Sequence, residues 1–252
     1  MKNLLKEKLY SGKTSLGTWL TIGSPDVADT LKQLPFDWFL LDLEHSYFSI
    51  ETARNILLTM LDTRITPLVR VGVSDQYLIK RVLDIGAYGV LVPLVNTPED
   101  AERVVNFSKY PPLGSRGVGP VRAAAYGNNM KDYVTTANDE VLVGVQIETV
   151  QALSNAEAIA STKGVDIVFV GPSDLTMSLG LVTDRGNPKV LESMQSVAKI
   201  CERLGKIPGT LAATAEEAKK WQKLGYRFIS LGSDSKYLFQ GAKSFVEQAT
   251  QS

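Results

Sequence analysis

Residues 39–45, Phe-Leu-Leu-Asp-Leu-Glu-His, pass from an apolar run to three ionisable groups: Asp42, Glu44 and the chain's single histidine, His45. An imidazole titrates near neutrality and can take or give a proton there. The same change of character recurs along the chain. Arg70 follows Pro67-Leu68-Val69, Gln146 and Glu148 close an apolar run, and Ser173 and Asp174 follow another. A guanidinium at such a point binds a carboxylate through two parallel hydrogen bonds. The alternative is a structural ion pair from Arg70 to Asp42 or Glu44. Two carboxylates brought together, Glu148 and Asp174, repel unless a cation or a shared proton intervenes. The alternative for these two is that each caps the helix after it. With no second histidine and with Cys201 as the only cysteine, the donors are oxygens, which suit Mg²⁺, Mn²⁺ or Co²⁺ better than a zinc site built on nitrogen and thiolate. Asp84 ends a helical stretch, where its charge opposes the helix dipole. Either Lys80 one turn earlier offsets it, or it reaches an imidazole.

The segments that must position these groups alternate between two kinds. Short apolar runs at 15–21, 37–43, 66–71, 89–95, 141–148, 166–172, 207–213 and 228–234 are each followed by a stretch with helical spacing. The runs are apolar on both faces, as covered parallel strands are. Several helices open on a capping signal (Ser24-Pro25, Thr97-Pro98, Thr214-Ala215) and several close at Gly86, Gly205 or Gly225. Eight such units predict a single (β/α)8 TIM barrel spanning residues 1–252. An open doubly wound sheet is the rival; no G-x-G-x-x-G follows the first strand. In a barrel the strand-end residues gather at one mouth. No predicted strand ends in lysine, so carbanion chemistry through a Schiff base lacks its amine. The stretch from Pro111 to Asp139 is long for a connector and reads as a functional loop, or else as a tolerated insertion.

The 252 residues carry 27 basic and 27 acidic side chains. That balance argues against nucleic acid or a membrane surface as the partner. No run is long and apolar enough for a signal peptide or a spanning helix. Cys201 lies in an apolar helical pattern and reads as a buried small hydrophobe. A soluble cytoplasmic protein is expected.

Together, LGTWL (16–20), FDWFLLDLEHS (36–46), PLVRV (67–71), VQIET (145–149) and GVDIVFVGPSDLTMSLG (164–180) make an ordered set. It resembles the HpcH/HpaI class II pyruvate aldolases nearly end to end. The resemblance implies a metal-dependent lyase that cleaves a 4-hydroxy-2-oxo acid to pyruvate and an aldehyde, with citrate-synthase or citrate-lyase chemistry as the alternative. It implies His45 as general base, Asp84 raising its basicity, and Arg70 stabilising enolate charge. Glu148 and Asp174 would bind the metal; Gln146 and the backbone at Ser173 would hold substrate. Residues 120–129 depart from the family pattern and are expected to shape the aldehyde pocket. The resemblance also implies a homo-hexamer with the C-terminal helix swapped between subunits.

Overall fold

The computed structural model describes residues 1–182 and 184–251. Helix α1 (Leu4–Tyr10) precedes the first strand, β1 (Ser15–Leu20). Then come α2 (Pro25–Leu31), β2 (Trp38–Asp42), α3 (Ile50–Thr59), β3 (Thr66–Arg70), α4 (Gln76–Asp84), β4 (Gly89–Val92) and α5 (Pro98–Ser108). The second half runs α6 (Met130–Glu140), β5 (Leu142–Ile147), α7 (Val150–Ser154), α8 (Ala156–Ser161), β6 (Ile167–Val170) and α9 (Pro172–Ser178). It ends with α10 (Pro188–Leu204), β7 (Ile207–Leu211), α11 (Ala215–Lys223), β8 (Phe228–Ser233) and α12 (Asp234–Thr250). The eight strands pair in sequence order, all parallel, and β8 closes on β1. Each strand falls within an apolar run singled out in the sequence. The helix signals hold too: Ser24, Thr97 and Thr214 accept capping hydrogen bonds from the third residue on, and Gly86, Gly205 and Gly225 have positive φ.

Side-chain parity divides the core into two layers. In β2, Trp38 and Leu40 point into the barrel, while Phe39 and Leu41 face the helices. The interior layer joins Trp19, Trp38, Leu40, Leu68, Leu91, Leu142, Ile167, Phe169, Ile207 and Phe228. Trp38 stacks on Phe228 with centroids 3.9 Å apart, and it lies where any side chain at position 17 would be, 2.1 Å from an ideal Cβ on Gly17. Leu5 and Leu9 of α1 join this same layer, so α1 plugs the base of the barrel. The sequence carries little signal for α1. Its pattern is a single buried stripe, Leu5 and Leu9, and shorter than a reliable helical repeat.

The long stretch from Pro111 to Asp139 is not one loop. It contains a short turn at Arg122–Gly127 and the amphipathic helix α6, which buries Tyr133 and Ala137. Because it joins the end of a helix to the start of a strand, it begins and ends at the base of the barrel.

Candidate active site

Inward parity, carried one step past the apolar layer, supplies the polar groups of the mouth. After Trp38 and Leu40 comes Asp42; after Leu68 comes Arg70; after Leu142 and Gly144 come Gln146 and Glu148. Register then sets Asp42 directly beside Arg70. The carboxylate accepts from Arg70 Nε at 2.9 Å and Nη2 at 2.8 Å, while Nη1 lies 2.9 Å from Glu44 Oε2. The indole of Trp19 packs 4.1 Å from the guanidinium carbon. Arg70 is 7% exposed and lines a cavity of about 460 Å³. The ion pair to both Asp42 and Glu44 is thus present at the wall of that cavity.

Glu148 is buried and hydrogen-bonded on both oxygens, from the Leu94 amide (2.7 Å) and from Gln146 Nε2 (2.5 Å). It does not cap the next helix, a role taken by Thr149, which accepts from the Ala152 amide. Leu94 adopts a left-handed φ of 53° to aim that amide, a costly conformation for leucine. Burial pushes the Glu148 carboxyl above its ordinary range, and Asp174 and Glu44 push the same way against the Leu94 amide and Arg70. Glu44 is likewise raised, chiefly by burial, with Arg70 opposing. Gly171 packs against Glu148 so closely that an ideal Cβ there would sit 2.9 Å from Oε2.

Ser173 and Asp174 lie not on a strand end but in the first turn of α9, which Pro172 starts. Both line the cavity. His45 lines it too, from the bend after β2. Its backbone amide and that of Glu44 donate to Asp42 Oδ1. The structure thus brings together His45, Arg70, Gln146, Ser173 and Asp174 around one cavity, with Glu148 against its floor.

Asp84 is not among them. It ends α4, so it faces the base of the barrel, where Arg116 Nη2 donates to it at 2.7 Å. Arg116 is itself buried between Tyr110 and Tyr133. Within this chain Asp84 holds the base together and does not reach His45. The stretch 120–129 also lies at the base; none of it lines the cavity. The reason is common to both: helix ends and helix-to-strand connections fall opposite the strand ends.

Other residues at or beside the cavity follow no strand-end polar signal. Trp19 and Phe169 belong to the interior layer, and their inward parity would have placed them. Leu94 acts through its backbone, which no side-chain pattern reports. Arg185 precedes α10 and Lys236 lies in α12. Lys236 Nζ donates to the Ala213 carbonyl at 2.6 Å.

The donor set fits a hard divalent cation: Glu148 and Asp174 add negative charge beside Asp42 and Glu44, and the buried Oε1 of Gln146 has no donor among the described residues. An eight-stranded parallel barrel with a buried arginine and converging carboxylates at its mouth has the build of a (β/α)8 enzyme. The chain belongs to the HpcH/HpaI aldolase/citrate lyase family, whose profile matches residues 15–241, and is a carbon–carbon lyase. It is 36% identical, over 98% of its length and 94% of the relative's, to 4-hydroxy-2-oxo-heptane-1,7-dioate aldolase of Salmonella dublin. A Burkholderia cenocepacia J2315 protein of the family superposes with a TM-score of 0.95 at 34% identity, covering 99% of this chain and 100% of that one. The citrate synthase SbnG superposes at 0.89 with 28% identity, covering 98% and 97%.

Proposed function

We propose that the protein reversibly cleaves a 4-hydroxy-2-oxo acid to pyruvate and an aldehyde with a divalent cation, Mg²⁺, Mn²⁺ or Co²⁺, held by Glu148 and Asp174. The observation that carries this reading is Arg70, held by Asp42 and Glu44 in the wall of the same cavity that Asp174 lines and Glu148 abuts through Gln146 and Gly171. Glu148 and Asp174 would hold the cation through two carboxylates, and a 2-oxo acid could then bind it through its own oxygens. The cation supplies Lewis-acid withdrawal of electrons from the keto group.

The chain's own residues do the rest. Arg70 meets the negative charge that grows on the 2-oxo oxygen as the C3–C4 bond breaks, and its locked fork needs no reorganisation. Gln146 and the Ser173 amide orient the oxo acid. His45 takes the proton from the 4-hydroxyl as the aldehyde carbonyl forms, directly or through water. Phe169, Trp19 and Leu211 give the cavity apolar walls.

A panel of aldehydes with pyruvate, with and without chelator and added Mg²⁺ or Mn²⁺, tests the reading by product mass. Chelation abolishes condensation and either cation restores it. Borohydride with pyruvate leaves Lys236 and every other lysine unmodified; a reduced pyruvyl-lysine adduct overturns the metal reading. The likeness to a citrate synthase supports a second arm, oxaloacetate with an acetyl donor. Condensation in that arm alone makes the protein a synthase. A homo-oligomer with α12 exchanged between subunits is supported by Leu238, Phe239, Phe245 and Val246, all exposed on α12.

A further inference from the structure

Glu148 Oε1 accepts the amide of Leu94 at 2.7 Å, and Leu94 holds its left-handed φ of 53° to aim that amide. The Leu94 side chain does not account for the conformation, since it is 58% exposed. A left-handed leucine relaxes to an ordinary backbone region unless its surroundings prevent it. Asn96 prevents it: its Nδ2 donates to the Leu94 carbonyl at 3.2 Å. The amide and the carbonyl of Leu94 belong to the two planar peptides that flank its Cα. Holding both planes fixes the φ and ψ between them. Asn96 is tied at its other polar groups as well. Its Oδ1 accepts from Oγ1 of Thr149, the residue after Glu148. Its carbonyl accepts from Asn155 Nδ2 at 2.8 Å, and its amide donates to Asp100 at 3.0 Å. One side chain thus joins the loops after β4 and β5, bonded both to the residue that aims at Glu148 and to the residue that follows it.

We infer that Asn96 is a positioning residue for the cation site: by clamping Leu94 in its left-handed conformation, it keeps Glu148 oriented to bind a divalent cation. The assignment rests on Glu148 as a ligand in the reading above. Hydrogen-bond partners behind a metal ligand hold its orientation, and losing one weakens binding by about 10- to 100-fold. Without the Asn96 bond, Leu94 is free to leave the strained region and its amide swings off Oε1. Glu148 then keeps only the Gln146 bond, on its other oxygen.

The test is Mn²⁺ binding to the chelator-stripped protein without substrate, followed by the EPR signal of free Mn²⁺. It compares wild type, Asn96→Ala, and the double variant that adds Leu94→Gly to Asn96→Ala. Asn96→Ala retains both main-chain bonds of residue 96, and a thermal melt in chelator checks its fold. Its Kd for Mn²⁺ is expected to rise roughly 10- to 100-fold. Glycine takes a positive φ without strain, so the double variant is expected to recover part of that loss. Were Asn96 merely a brace between the two loops, removing the Leu94 side chain would add to the loss instead. An Asn96→Ala variant that binds Mn²⁺ as wild type does, or a double variant no tighter than the single one, overturns the assignment and leaves the cation reading intact. A wild type that binds no Mn²⁺ overturns Glu148 as a ligand and this assignment with it.

Discussion

At the scale of the residue, the site gathers carboxylates whose repulsion is relieved either by a shared proton or by a cation. Asp42, Glu44, Glu148 and Asp174 outnumber Arg70 on their side of the cavity. His45, alone of the chain's side chains in being a histidine, stands at the rim with its backbone fixed by Asp42. Cleavage requires a proton to leave the 4-hydroxyl, whereas decarboxylation of oxaloacetate generates the same pyruvate enolate without that step. His45→Ala is therefore expected to lose about 10²–10⁴-fold in aldol cleavage and much less in oxaloacetate decarboxylation. Both rates are measured on one sample, which controls for folding; a common factor of loss would give His45 a structural part instead. His45, Arg70, Glu148 and Asp174 were legible because each follows an apolar run within a few positions. Asp84 and His45 do not meet within this chain, because the helical pattern around Asp84 states a conformation but not which end of the barrel it serves. Arg185 carries no signal of its own: a lone arginine in a polar loop reads the same at any surface.

At the scale of the element, the two ends of the barrel carry separate duties. Strand ends and the loops after them line the candidate site; α1, the Arg116 cluster and the connection through α6 hold the base. The apolar runs and caps sufficed to find all eight strands, since a strand buried on both faces leaves a compact record. The plug helix α1 and the helix inside the long connection were not found, because each is recognised only by what it packs against. Leu9 is fully buried in the interior layer. Leu9→Ala is expected to cost about 2–5 kcal/mol of stability, the usual range for emptying a buried leucine site. kcat and KM at a temperature where the variant stays folded should remain near wild type. A denaturant titration checks the first part and steady-state kinetics the second; a selective fall in kcat would mean that packing at the base is felt at the mouth.

At the scale of the whole molecule, the gathered carboxylates tie stability to pH and, on the function proposed above, to the cation. Glu148 ionises in the fold at a higher pH than its ordinary value of 4.5, because burial disfavours its charge. Folding thus penalises its charged form relative to the unfolded chain. The corresponding stability is present below the ordinary value and is lost as pH rises through the raised one. Glu148→Gln should then melt higher than wild type in chelator at neutral pH, and the gap should close as pH falls below 4.5. Added Mn²⁺ should reverse the order. Thermal melts at several pH values, with and without cation, decide this; a variant no more stable than wild type in chelator would mean that the buried charge carries no cost. The closure of β8 onto β1 has its own consequence for how the chain is made. The first strand to leave the ribosome must wait for the last, and the Leu5–Leu9 plug waits with it for Phe228. Until then β1 and β7 are both open edges, able to pair with another nascent chain.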